Sequence, residues 1–196
     1  MKRIPFVLGS VCCVCWMIVL SPGPANGEGQ RDGKGTVVTL DGLKSRTPAE
    51  WAVEEPTSRM RVNQFRLEPI GDDKDKAEVI IFFFGTGQGG SGEANIERWK
   101  KMFLPPERKK IDDVTKVEKM KVSNVPVTFV DINGTYLSKT PPFDPNAQVT
   151  PFPNYRMIGV VFESDKGPYF IRLIGPANTV AYYKQGFDDW LKGFKP

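Results

Sequence analysis

Residues 79–84 read VIIFFF, six consecutive apolar residues held between a charged stretch, GDDKDK (71–76), and a glycine-rich one, GTGQGGSG (85–92). A run this short is a strand rather than a helix, and an apolar strand without alternation needs cover on both faces. That requirement calls for a layered domain, with one element packed above the strand and another below it. Two helical patterns supply candidates. Over residues 93–103, Ile96, Trp99 and Met102 or Phe103 recur on one stripe, and Pro105 and Pro106 stop the pattern. Over residues 176–194, Val180, Tyr183, Phe187, Trp190, Leu191 and Phe194 form the longer stripe, with Lys184, Gln185, Asp188 and Lys192 outside it. Burying each large side chain of that stripe contributes about 1.5–3 kcal/mol.

The remaining segments read mostly as strands. Residues 36–40 (TVVTL) form a short one, and TPAEW (47–51) suits a brief helical turn with Thr47 as cap and Pro48 at its first position. Residues 59–67 alternate, with Met60, Val62 and Gln64 on one side and Arg61, Asn63 and Phe65 on the other. Residues 114–122 and 125–132 pair around a turn at Ser123 and Asn124. Asn133-Gly134 is a strong hairpin dipeptide, after which residues 135–137 resume pairing. KTPPFDPNAQVTPFP (139–153) holds five prolines and predicts a long loop. A last hairpin joins YRMIGVVFE to PYFIRLIG across SDKG (164–167). Short connections of this kind predict an α+β fold: a mainly antiparallel sheet flanked by helices, ending in a long amphipathic helix, over one domain at 36–196.

The first 27 residues stand apart. Lys2 and Arg3 precede an apolar core of about fifteen residues, shorter than the roughly 20 of a membrane span, and SPGPANG follows. Ala25 and Gly27 then occupy the −3 and −1 positions of a signal-peptidase cut. The expectation is a signal peptide at 1–27, a polar disordered leader at 28–35, and an exported protein, periplasmic or extracellular. Membrane contact is expected only through an uncleaved leader. All three cysteines lie in that segment and the chain has no histidine. The exported form thus has no disulfide, no thiolate nucleophile, no Ser-His-Asp triad and no ordinary zinc site. Of 27 basic and 23 acidic residues, removing Lys2 and Arg3 leaves an excess of two positive charges. Its basic clusters are interrupted by Glu, so nucleic acid is not an expected partner.

Gly85, Gly87 and Gly90 fall in G-x-G-x-x-G register. A dinucleotide site also needs a parallel strand ending in an acidic residue, and a phosphate loop needs Lys then Ser or Thr. Ser91-Gly92-Glu93 stands there instead, so the loop reads as a flexible strand-to-helix connector. Asp72, Asp73 and Asp75 lack the calcium-loop spacing and read as a solvated turn. Catalytic residues, cofactors and metals are therefore expected to be none. The candidate partner-binding residues are Gly87, Gly89, Gly90, Asn95 and Arg98 at the connector, with Phe143 and Phe152 on the proline-rich loop.

The order of elements, with PAEW (48–51), SRMR (58–61) and GPYFIRLIGPANTV (167–180) running into the last helix, resembles the PsbP-like α/β/α sandwich. Ala94, Asn95, Arg98 and Trp99 also make the chain similar to an uncharacterised group of secreted bacterial proteins with Ala-Asn-x-x-Arg-Trp after a glycine-rich loop. The resemblance implies a noncatalytic accessory or binding role toward a protein or envelope component. Two alternatives are a hydrolase or lyase using Asp131 with Tyr136 or Tyr155, and a carrier of a small ligand or lipid.

Overall fold

The structure is a computed structural model that describes residues 34–141, 144 and 146–196. The expected signal peptide, nearly all of the expected leader, and Phe143 lie outside the described residues. Strands β1 (Val37–Leu40) and β2 (Leu43–Arg46) form a separate hairpin. Its turn is Asp41-Gly42, both at positive φ, as a tight two-residue hairpin demands. The main sheet holds β3 (Ala52–Glu54), β4 (Arg61–Leu67), β5 (Ala77–Phe83), β6 (Phe103–Leu104), β7 (Thr115–Val122), β8 (Val125–Thr140), β9 (Gln148–Ser164) and β10 (Gly167–Pro176). Its order is β3-β4-β5-β10-β9-β8, with β7 and β6 side by side on the outer edge of β8. Every pairing in it is antiparallel. Helices α1 (Gly92–Lys100) and α2 (Ala177–Lys192) lie on opposite faces.

Alternation in the central strands explains the two layers. Val79 and Ile81 of β5, Ile158 and Val160 of β9, and Ile171 and Leu173 of β10 point to one face. There they meet Val180, Tyr183, Phe187, Trp190 and Leu191 of α2, with Val38 and Leu40 of β1. The expected α2 stripe, Phe194 included, is buried throughout. On the other face Val130, Ile132, Met157, Val161 and Phe170 receive Ile96 and Trp99 of α1. Gly159 is the seat of that indole, since a Cβ there would lie 2.5 Å from the Trp99 ring. The helix α1 has only nine residues and packs over β8 and β9. Among the described residues, no helix packs over the half of this face built by β3, β4, β5 and the middle of β10.

Three local expectations change. TPAEW forms a turn, with Trp51 N–H donating to Pro48 O at 3.3 Å, and the Thr47 hydroxyl accepts from the Thr36 amide at 2.9 Å instead of capping a helix. Asn133-Gly134 is no hairpin turn; it lies inside β8, opposite Arg156 and Tyr155. Glycine is needed there because a Cβ at Gly134 would sit 2.4 Å from the Leu104 carbonyl oxygen of β6. The proline-rich stretch is mostly strand: β8 and β9 stay paired out to Thr140 opposite Gln148. Pro151 and Pro153 are tolerated because β10 pairs β9 only as far as Tyr155, leaving the outer edge of residues 148–154 without a ladder to break.

The tight approach at Gly134 yields a stability prediction. Gly134→Ala forces β6 away from β8 and lowers unfolding free energy by about 1–3 kcal/mol, the range for overpacking. Urea denaturation measures it, and an unchanged midpoint contradicts the backbone contact.

Candidate functional site

The uncovered half-face holds a cleft of about 210 Å³. Its floor comes from strand alternation: Glu78, Ile80 and Phe82 of β5 and Arg172 and Ile174 of β10 point away from α2. Arg172 lies opposite Ile80, and Ile174 opposite Glu78. Arg61 enters at the start of β4, where an irregularity between Arg61 and Asn63 shifts the register against β5 and sets Arg61 opposite Phe82. Both guanidinium groups lie against the Phe82 ring, Arg172 at 4.8 Å and Arg61 at 5.7 Å from its centroid. The opposite wall is aromatic. Tyr136 and Tyr155 stack at 6.0 Å, and Phe152 lies 5.2 Å from Tyr155 and 6.3 Å from Tyr136. Lys76 stands at the margin.

The polar groups on this floor are unevenly satisfied. Arg61 Nη1 donates to Gln64 Oε1 at 2.8 Å, and Gln64 Nε2 donates to Glu54 Oε2 at 3.1 Å. Arg172 has no such chain. Among the described residues its buried Nε has no partner, and its one hydrogen bond is from Nη1 to Met102 Sδ at 3.7 Å. Burial pushes its pKa below the ordinary arginine value, with Arg61 and Arg98 adding repulsion against the pull of Tyr136 and Glu78; an arginine remains protonated all the same. Glu78 makes no hydrogen bond or salt bridge among the described residues. Burial raises its pKa above the usual glutamate value, against the pull of Arg61 and Arg172. The Tyr155 hydroxyl donates to Asp75 Oδ2 at 3.0 Å, and burial first, then Asp75, raises its pKa.

The expected site residues divide. Phe152 joins the cleft as part of its aromatic wall. Arg98 is exposed on α1, with its charge felt at Arg172. Gly87, Gly89 and Gly90 all have positive φ and are absent from the cleft lining. Gly89 is a packing position, since a Cβ there would fall 2.7 Å from the Phe84 ring. The connector is also tied down: Thr86 Oγ1 donates to Lys166 O at 2.6 Å. Asn95 corrects the expectation of an outward patch. It is buried, and its Nδ2 donates to Gly89 O at 2.8 Å and Ser91 O at 3.0 Å. Asp131 is paired on the α2 side of β8 with Arg156, at 2.9 Å to Nε and 2.6 Å to Nη2. Tyr136 and Tyr155 pack on the other face, so the carboxylate–tyrosine couple is not assembled. Asp73 of the charged turn caps α2 instead, accepting from Thr179 N at 2.9 Å and Thr179 Oγ1 at 2.7 Å. Among the described residues no cluster of three or more acidic side chains is arranged to hold a metal ion.

Sequence reasoning missed Arg61, Glu78 and Arg172. The signal was present in FIRLI (170–174), where one arginine interrupts a strand otherwise apolar on both sides. A charge in such a place is buried unless the sheet is open above it.

No known protein family and no curated protein matches this sequence. Among solved structures the chain is similar to the solution structure of cyanobacterial PsbP from Synechocystis sp. PCC 6803, at 13% identity, over 90% of this chain and 98% of that one, with TM-score 0.47. It is also similar to a Pseudomonas aeruginosa protein of unknown function, at 13% identity, over 84% of this chain and 98% of that one, with TM-score 0.45.

Two predictions follow from these contacts. Asn95→Ala leaves the Gly89 carbonyl without its donor and lowers stability by about 1–2 kcal/mol, read by thermal denaturation. Glu78 binds its proton more tightly folded than unfolded, so raising pH from the unfolded glutamate pKa through the folded one removes stability. Glu78→Gln therefore gains stability relative to wild type between acid and neutral pH. Parallel denaturant titrations at the two pH values check this; an equal difference at both contradicts it.

Proposed function

We propose that this chain is an exported, noncatalytic binding domain that receives part of a partner protein or envelope component in the cleft between the open half-sheet and the β8–β9 ribbon. The carrying observation is Arg172, a half-buried side chain whose buried Nε has no acceptor among the described residues. A buried donor left without an acceptor costs about 1–3 kcal/mol, so a fold that keeps one has a reason beyond stability. Phe152 and Tyr155 on the ribbon and Arg61 and Lys76 line the same opening, giving an entering group both aromatic and cationic contacts. The chemistry of the cleft supports binding over hydrolysis: its floor offers one carboxylate, Glu78, beside two arginines, rather than the pair of carboxylates that acid/base hydrolysis of glycosides uses. Export is part of the proposal and rests on the N-terminal pattern. No helix among the described residues is long and apolar enough to cross a membrane.

Arg172→Met separates binding from folding. Replacing the unpaired cation by an apolar side chain of similar length raises unfolding free energy by about 1–3 kcal/mol. The same change removes from a pull-down the envelope components captured by the wild-type protein. Identical captured sets from wild type, Arg172→Met and a form with residues 139–153 replaced by a short glycine linker would sink this reading.

A further inference from the structure

The floor of the cleft holds a buried donor without an acceptor and, beside it, a half-buried carboxylate without a protein hydrogen-bond partner. Arg172 has a buried Nε without a partner, and Glu78 makes no hydrogen bond among the described residues. Arg172 lies opposite Ile80 and Glu78 opposite Ile174, so the two are diagonal neighbours on adjacent strands. Such positions are about 7–8 Å apart along the sheet, which lets the two long side chains bracket a group carrying adjacent opposite charges. Building on the reading of the cleft as the binding site, we infer that it receives an α-amino acid head group, carboxylate toward Arg172 and ammonium toward Glu78, with the rest of the residue against Tyr136, Phe152 and Tyr155.

Other chemistries fit the floor less well. A simple anion satisfies the arginines but brings its charge beside Glu78. A simple cation satisfies Glu78 and meets Arg61 and Lys76. A zwitterion engages both groups at once and adds no net charge to the cleft. Size points the same way. The 210 Å³ of the cleft is below the roughly 300–1,000 Å³ of sites for whole small-molecule ligands, and it suits one amino-acid residue. The aromatic wall adds apolar cover and ring stacking for the side chain. A free amino acid and a residue displayed on an envelope component through its side chain present the same head group.

Calorimetric titration of the purified full chain tests this with five probes. L-phenylalanine represents the free source, and Nε-acetyl-L-lysine represents a head group displayed through its side chain. 3-Phenylpropanoate lacks the ammonium, 2-phenylethylamine lacks the carboxylate, and inorganic phosphate is an anion alone. Binding of either amino acid is expected, with each truncated analogue weaker by about tenfold or more. Glu78→Gln should weaken phenylalanine by about tenfold while leaving 3-phenylpropanoate unweakened, and circular dichroism confirms that this variant is folded. The proposal is overturned if 3-phenylpropanoate or phosphate binds as tightly as phenylalanine; loss of that binding in Arg172→Met would still preserve the cleft as an anion site. It is overturned as well if no probe binds at millimolar concentration. In that case the pull-down with Arg172→Met decides separately whether the cleft takes a larger partner.

Discussion

The two-sided burial demanded by β5, β9 and β10 governs the whole arrangement, because three adjacent strands present large apolar side chains to both faces. One face is satisfied by a sixteen-residue helix and a hairpin. The other has a helix of nine residues, enough to cover Met157, Val161 and Phe170 but not the strands beyond. The short helix is held in place by the fit of Trp99 into the space over Gly159. Its length decides where the sheet stays open, and hence where polar side chains such as Glu78 and Arg172 reach solvent without leaving the core.

The same asymmetry separates two kinds of buried charge. On the α2 face Arg156 and Asp131 form a two-point ion pair at 2.9 and 2.6 Å, which holds β8 to β9 and leaves neither partner available. On the open face Arg172 has aromatic cover from Phe82 but, among the described residues, no carboxylate bonded to it. Two arginines in neighbouring strands of one sheet thus have opposite consequences. The paired one serves structure, whereas the unpaired one is a standing cost that an entering acceptor would offset.

Much of the architecture was legible in the order of residues. The apolar stripe of α2, the turn at Ser123-Asn124, the hairpin through residues 164–167 and the apolar strand β5 all follow from periodicity and turn chemistry. The errors share a cause. Asn133-Gly134 has the composition of a turn, yet glycine is required by the approach of β6, thirty residues earlier in the chain. Residues 139–153 have the composition of a loop, yet the free outer edge of β9 lets prolines sit in a strand. Asn95 reads as a surface amide, yet it satisfies loop carbonyls. In each case a contact distant in sequence, or a bond to a neighbouring loop, overrode local preference.

By itself the sequence determined the classes of element and the chemistry left out: periodicity is local, and a chain without histidine, and without cysteine past residue 15, lacks the corresponding reactions wherever it folds. The glycine loop lies between β5 and α1. Only the tertiary structure decided which side chains share a surface. Arg61, Glu78, Phe152 and Arg172 come from four strands, and nothing in their spacing along the chain brings them together. Strand order and register do so, and the shortness of α1 leaves them open to solvent.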